Sequence, residues 1–331
     1  VLSREPADLD ENVRGKFQAM VGDRLKALSL HCLPEAHMKH KFFALALADP
    51  AMEPFLPETW LSHDSFAHEL DNVSFAEDTY FFKDGCKDNG IGVVPFVPDA
   101  AKMYNLRLEA RMKFLEEVIS TAMQERKIDP GQDNSTFQSS KKSTLPDGVY
   151  QRSVPRALLW EGHKFDLRVY VCTVPFLGSK SFIYRHCLVR VAPDKFDPDS
   201  TDMKVQTTHA SAGAKLISSE EWPVWESDVL PRVRQLVSVT MSLLMPKLTS
   251  SYRDELSSFT CLYGFDIIVQ DGFELKLLEI NTSPQLRYPE KHHWMCNMLH
   301  GMLKEFFQFV VIPFFVNEQP SPEGNWICAD A

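Results

Sequence analysis

The sequence contains no CxxC pair, no GxxxxGKS or GxxxxGKT loop and no GxGxxG turn. The first absence removes zinc-ribbon and thioredoxin-type readings. The seven cysteines are scattered and odd in number, which fits a reducing compartment. The other two absences leave the common P-loop and Rossmann readings without support. Positive charge is in deficit, 35 Lys and Arg against 45 Asp and Glu, and a net charge of −10 argues against a general nucleic-acid binder. Long apolar runs are missing too. The longest, 306–316, carries Gln308 and Pro313 and is too short to span a bilayer. No secretory signal is visible at the start, no internal repeat is found, and the chain begins at Val1, which reads as a processed chain or a fragment. At 331 residues, with ordinary hydrophobic (44%) and charged (24%) content, the chain is long enough for two or more cores.

The most informative stretch that is present is GFDIIVQDGFELKLLEINTSPQL, 264–286. Two apolar runs flank Asp271-Gly272, a dipeptide that favours a two-residue type I′ hairpin. That loop would set Asp266 opposite Leu277. Side chains alternate along a strand, so Asp266, Glu279 and Asn281 share a face, with Glu279 diagonal to Asp266. Ionised carboxylates are costly to bury and are normally paired or bound to a metal. Two carboxylates and an amide oxygen suit Mg²⁺, which keeps waters and binds through few carboxylates plus phosphates. The competing reading is a half-exposed hairpin whose acids face water.

Elsewhere, residues 1–45 read as helical, with a second amphipathic helix at Met38–Leu47. TYFFK (79–83) is a strand running into a glycine-containing turn, either an ordinary hairpin or a cover for phosphates. A long periodic helix is expected at 101–127 and a loop at 128–147. In GHKFDLRVYV, Glu161-Gly162 makes a turn, and Lys164, Asp166 and Arg168 then alternate with apolar residues. From Gln151 to Arg190 there are seven basic and two acidic residues, which points to an anionic ligand at that sheet. Val229–Leu248 reads as a helix fading at Pro246, and His292–Phe315 as a C-terminal helix with Met295, Met298 and Met302 in the core.

Taken in order, FLPETW, FFKDGCKDNGIGVV, VYQRSV with GHKFDLRVYV, YRHCLVR, and YGFDIIV with LLEINTSPQL resemble the tubulin–tyrosine ligase-like family of the ATP-grasp superfamily. The resemblance implies an α+β ATP-grasp fold, with two β-rich lobes and flanking helices enclosing a nucleotide. Its domains would be an N-terminal helical segment (1–40), a central lobe (41–150) with a helical insertion (101–147), a C-terminal lobe (151–318) and a tail (319–331). It implies that Lys41 and Lys83 reach the phosphates and that Gly90 and Ile91 belong to a loop covering them. Gln151, Arg152 and Val154 fall on the adenine hinge. Lys164, Asp166 and Arg168 form a charged strand at the sugar and reaction centre. Arg185 would hold the amino-acid substrate, Thr208 sits on an active-site loop, and Asp266, Glu279 and Asn281 bind the metal. His209 stands where the family has Asn, Asp84 where it has Pro, and Asp88 where it has Gly. Little chain precedes Lys41, so the family's N-terminal domain is expected to be absent or cut off.

The implied activity is an ATP- and Mg²⁺-dependent carboxylate–amine ligase. It would join an amino acid to a protein or peptide carboxylate, such as that of tubulin, through an acylphosphate, with a cytoplasmic, cytoskeletal or ciliary place. The alternative is an inactive ATP-grasp pseudoenzyme serving as a subunit of a larger assembly.

Overall fold

In the computed structural model, the residues described are 36, 38–62, 65–66, 78–83, 93–98, 148–174, 180–209, 212–251, 261–282, 284–286, 293–313 and 324–330. The expected helices before residue 36 and at 101–127, the 128–147 loop, Asp84, Asp88, Gly90 and Ile91 lie outside them.

The fold is α+β, built on two antiparallel sheets. The smaller has the order β1 (Thr59–Trp60), β4 (Val149–Arg152), β2 (Tyr80–Lys83), β3 (Val93–Phe96). Aromatic residues hold it together, with Phe66 stacked on Tyr150 at 4.8 Å and Tyr80 and Phe96 packed around them. The larger sheet runs β11 (Leu275–Asn281), β10 (Cys261–Val269), β6 (His163–Val174), β7 (Lys180–Tyr184), β12 (Trp326–Cys328). A branch adds β8 (Leu188–Val191) to β6 and β9 (Lys215–Ser218) to β8, with the short helix α2 (Met203–Gln206) between β8 and β9 in the chain, and the short β5 (Leu159–Trp160) also pairs with β6.

Strand β6 organises the molecule through its period of two. Phe165, Leu167, Val169 and Val171 face one core, covered by helix α3 (Leu230–Ser251) through Val233, Leu236, Val237, Met241 and Leu244. Helix α1 (Lys39–Leu47) joins this core through Phe42, Phe43 and Ala46. The other face divides along its length. Tyr170, Cys172 and Val174 pack under helix α4 (His293–Phe306) against Met295, Leu299, Met302 and Phe306, and Met298 packs partly on the same cluster. Lys164, Asp166 and Arg168, earlier on that face, are buried but polar. Each buried aliphatic side chain contributes roughly 1.5–3 kcal/mol, so a strand that places three charges on the same row gives up several kcal/mol unless those charges are paired.

Two turns of the same apparent type behave differently. At Glu161-Gly162 the expected two-residue turn forms, with both residues at positive φ (52° and 85°) and Trp160 paired with His163. At Asp271-Gly272 the loop has three residues. Gly272 and Phe273 both have positive φ, and Gln270 N–H bonds the Glu274 carbonyl at 2.7 Å. Phe273 packs against the large core, which draws a third residue into the loop. Helix α3 also differs from expectation, running past Pro246 to Ser251. Pro246 and Ser242, whose carbonyl loses its partner, are both exposed, so water can take the missing bond. The C-terminal helix ends its α-type turns at Phe306 and continues as one π-type turn, Phe307–Val311.

Candidate functional site

The three-residue loop shifts the β10–β11 register by one residue, to Val269↔Leu275 and Ile267↔Leu277. Left alone, that shift would turn Glu279 to the face opposite Asp266. A bulge between Ile267 and Asp266 adds a second shift, so the pairs become Asp266↔Glu279 and Gly264↔Asn281. The register expected from the sequence, Asp266 against Leu277, is thus corrected, and the shared face survives because two one-residue shifts restore its parity. Leu278 is the extra residue, and its carbonyl accepts a bond from Lys83 Nζ at 3.3 Å.

Asn281 Nδ2 donates to Asp266 Oδ2 at 3.2 Å and to Glu279 Oε1 at 3.1 Å. Asp266 is also held by Arg168, through Nε–Oδ1 and Nη2–Oδ2, and by Arg190 Nη2 at 2.9 Å. Gly264 makes the first pair possible. A Cβ there would lie 2.9 Å from Arg168 Cδ and 3.0 Å from Pro284 Cβ. Arg190 forks onto Asp166 at 2.6 and 2.7 Å, and Thr208 Oγ1 donates to Asp166 at 2.5 Å. Lys39 Nζ lies 3.4 Å from Glu279 Oε2. Burial would raise the Asp266 carboxyl, but Arg168 and Arg190 outweigh it and hold it well below the usual carboxylate range.

Lys164 is boxed between the rings of Phe81 and Phe196, at 5.4 and 4.8 Å, and donates to Ser153 Oγ and Gln206 Oε1 at 2.9 and 2.6 Å. Burial lowers both Lys164 and Lys83 to about 8, in Lys83 against the pull of Glu279. His209 is lowered by burial and then by Arg190. These groups line one cavity between the two sheets, together with Gln151, Val154 and Thr208. Gln151 Oε1 is buried with no partner among the described residues. Arg152 sits at the edge of the cavity, tied to Glu58 and Asp78.

Two expected residues are elsewhere. Lys41 is exposed on α1, and Lys39 faces the site instead. Lys39 stands three and four residues before the buried Phe42 and Phe43, on their face of the helix, while Lys41 does not. Arg185 is also outside the cavity, half exposed and forked onto Glu226 at 2.8 and 2.9 Å. Arg190 takes the inward place, on a strand whose four residues are all buried. The signal for it in the sequence was a charge in the middle of the apolar run CLVRVA.

Lys83, Lys164 and Arg190 line the cavity with Asp166, Asp266 and Glu279, while Arg168 pairs with Asp266 and Lys39 with Glu279 from outside that lining, so the eight groups together carry two more positive than negative charges. The donor set also fits a hard cation. The Asn281 amide lies within hydrogen-bond reach of each of the two opposed carboxylates, and half a turn of it presents its oxygen. Among the described residues, no three His, Cys, Asp or Glu side chains cluster so as to hold a metal, and this set has only two carboxylates. The arrangement is a cleft between two antiparallel sheets, lined by buried and mostly paired charges.

Comparison with known proteins supplies the family. The sequence pattern of the Tubulin-tyrosine ligase family matches residues 101–213 and 218–319, more than half of the chain, and the chain belongs to that family. It is 26% identical over 326 residues to the protein polyglycylase TTLL10 of Macaca fascicularis, covering 90% of this chain and 47% of that protein. It is 30% identical over 173 residues to the probable tubulin polyglutamylase TTLL9 of Mus musculus, covering 47% of this chain and 38% of that one. It is 26% identical over 194 residues to the inactive polyglycylase TTLL10 of Homo sapiens, covering 50% and 26%. The matched stretches span less than half the length of these relatives. No helix among the described residues is long and apolar enough to cross a membrane.

Proposed function

We propose that this chain is an ATP-grasp carboxylate–amine ligase that adds an amino acid to a protein or peptide carboxylate. The observation that carries the reading is the Asp266–Glu279 pair, set opposite each other by the bulge in a cleft with surplus positive charge. A carboxylate is a poor electrophile because its charge is delocalised. Transfer of the γ-phosphoryl group of ATP to it gives an acylphosphate. The amine of the incoming amino acid then attacks, the C–N bond forms, and phosphate leaves with the C–O electrons. Such transfer requires alignment and charge neutralisation rather than a protein nucleophile.

The residues divide accordingly. Lys83 would meet the terminal phosphates, Lys39 would support Glu279 from behind, and the unpartnered Gln151 amide oxygen suits the amino group of a purine beside Val154. Lys164 stands beside the hinge strand. Arg168 and Arg190 keep Asp266 ionised, and the fork of Arg190 orients Asp166 beside it. Asp266, Glu279 and Asn281 would hold Mg²⁺, whose contribution when bound is to neutralise phosphate charge. Gly90 and Ile91 remain assigned to the phosphate-covering loop by family resemblance. The names of the relatives make tubulin the first acceptor to try, which would give the chain a cytoskeletal place.

A second reading, an inactive member acting as a subunit of a larger assembly, is favoured by Arg185 being neutralised by Glu226 outside the cavity. A similar protein named as inactive accords with it. Thermal unfolding with ATP, Mg²⁺ and both together separates the two. An upward shift that needs both supports the ligase. No shift at millimolar nucleotide leaves the subunit reading.

A further inference from the structure

A second cavity, of about 440 Å³, lies away from the cleft between the end of β7, the turn after β9 and helix α4. That volume is within the range of small-ligand sites. Trp294 and Met298 form one wall, one helical turn apart on α4 and both partly exposed. Tyr184 and His186 form another, with their rings edge to face at 5.6 Å. Tyr184 is buried, and burial together with Glu305 pushes its phenol up to about 12, so the phenol stays uncharged near neutrality.

Glu220 and Glu221 stand at the rim, both exposed, and Glu220 is 69% accessible. No lysine or arginine lines the cavity among the described residues. The nearest cation in sequence, Arg185, is turned onto Glu226. His186 lies between Glu220, at 3.1 Å from Nδ1, and Asn325, at 3.2 Å from Nε2. A carboxylate ligand would meet two acids here, one beside His186 and one at the Ser218 N–H, and a purely apolar one would displace water from them without replacing it. A cationic head on an apolar stem satisfies both parts, with the stem along Met298 and the charge between aromatic faces and the rim acids. The net charge of −10 draws a basic partner toward the chain at long range.

We propose that this cavity docks a lysine or arginine side chain of a basic segment on a partner protein. The site is separate from the cleft and does not depend on the ligase reading.

The test is titration of the full chain, without nucleotide, with three capped pentapeptides, Gly-Gly-X-Gly-Gly, where X is arginine, lysine or citrulline. The readout is the indole N–H signal of Trp294, one of six tryptophans, assigned by its loss in Trp294→Phe. Arginine and lysine peptides should shift it saturably, and citrulline, isosteric but neutral, should bind about tenfold more weakly. Glu220 is exposed, and its side chain carries no capping bond, so Glu220→Gln should keep the fold while weakening the charged peptides. Glu220→Lys should remove their binding. Higher salt should weaken it as well. The proposal is overturned if neither charged peptide moves the Trp294 signal, if citrulline matches arginine, or if Glu220→Gln and Glu220→Lys leave the affinities unchanged.

Discussion

The Leu278 carbonyl accepts a hydrogen bond from Lys83 Nζ at 3.3 Å, joining the bulge of β11 in the large sheet to the last residue of β2 in the small one. The bulge therefore does two things. It restores Glu279 to the face of Asp266, and it places an extra carbonyl within reach of a buried ammonium.

That ammonium gives a pH signature. Burial lowers Lys83 from 10.5 to about 8, so below pH 8 it is charged in both folded and unfolded states and its cost is fully present. Between pH 8 and 10.5 the folded state releases the proton while the unfolded state keeps it, so stability rises with pH. The swing is roughly 3 kcal/mol at most. Urea unfolding of the parent and of Lys83→Met across this range should show the variant's relative stability falling as pH rises. Parallel pH curves for the two would contradict the lowered value. Lys83→Met should also weaken ATP binding at pH 7.

Glu279→Gln keeps the shape of the side chain and its bond from Asn281 but removes one of the two opposed charges. Circular dichroism and the unfolding midpoint should stay near those of the parent. The ATP- and Mg²⁺-dependent thermal shift should disappear, and so should any ATP turnover. Retention of both would remove the metal assignment.

Arg190 and Arg185 are five residues apart and should differ sharply. Arg190→Ala strips a buried guanidinium from Asp166 and Asp266 at once and should cost about 3–5 kcal/mol in chemical denaturation, the range for leaving a buried charge unpaired. Arg185→Ala breaks a half-exposed pair and should cost less than about 1 kcal/mol. Equal effects would mean that Arg185 is held more firmly than its exposure indicates.

The contrast marks what was legible in the sequence. The β6 row of Lys164, Asp166 and Arg168 and a shared face for Asp266, Glu279 and Asn281 follow from alternation, which depends only on parity, whereas the α+β class was an implication of the family resemblance. Choices within a short run did not follow. Lys39 rather than Lys41 is decided by the face that Phe42 and Phe43 bury, and Arg190 rather than Arg185 by which residue lies on a fully buried strand. The hairpin register was misread because Asp-Gly fits a two-residue turn equally well, and only the docking of Phe273 on the core makes it three. Helix α3 passes Pro246 because the local break meets solvent, a fact of tertiary position.

Gln206 gives a further check. Its amide nitrogen donates to the carbonyls of Asp197 and Ser200 at 2.9 and 2.7 Å, and its oxygen accepts a hydrogen bond from Lys164 Nζ. Gln206→Leu should loosen the 197–206 stretch and free Lys164. Faster labelling of Lys164 by an amine-reactive reagent, read by peptide mass spectrometry, would report this. Unchanged labelling would show that the Phe81–Phe196 box alone holds the lysine.

Lys83 is carried by one sheet, and the acids it faces are carried by the other. The spacing between the sheets therefore acts as a dial on the electric field inside the gap. Parting them would take one positive charge out of the gap and drawing them together would return it, with no residue moving relative to its own strand.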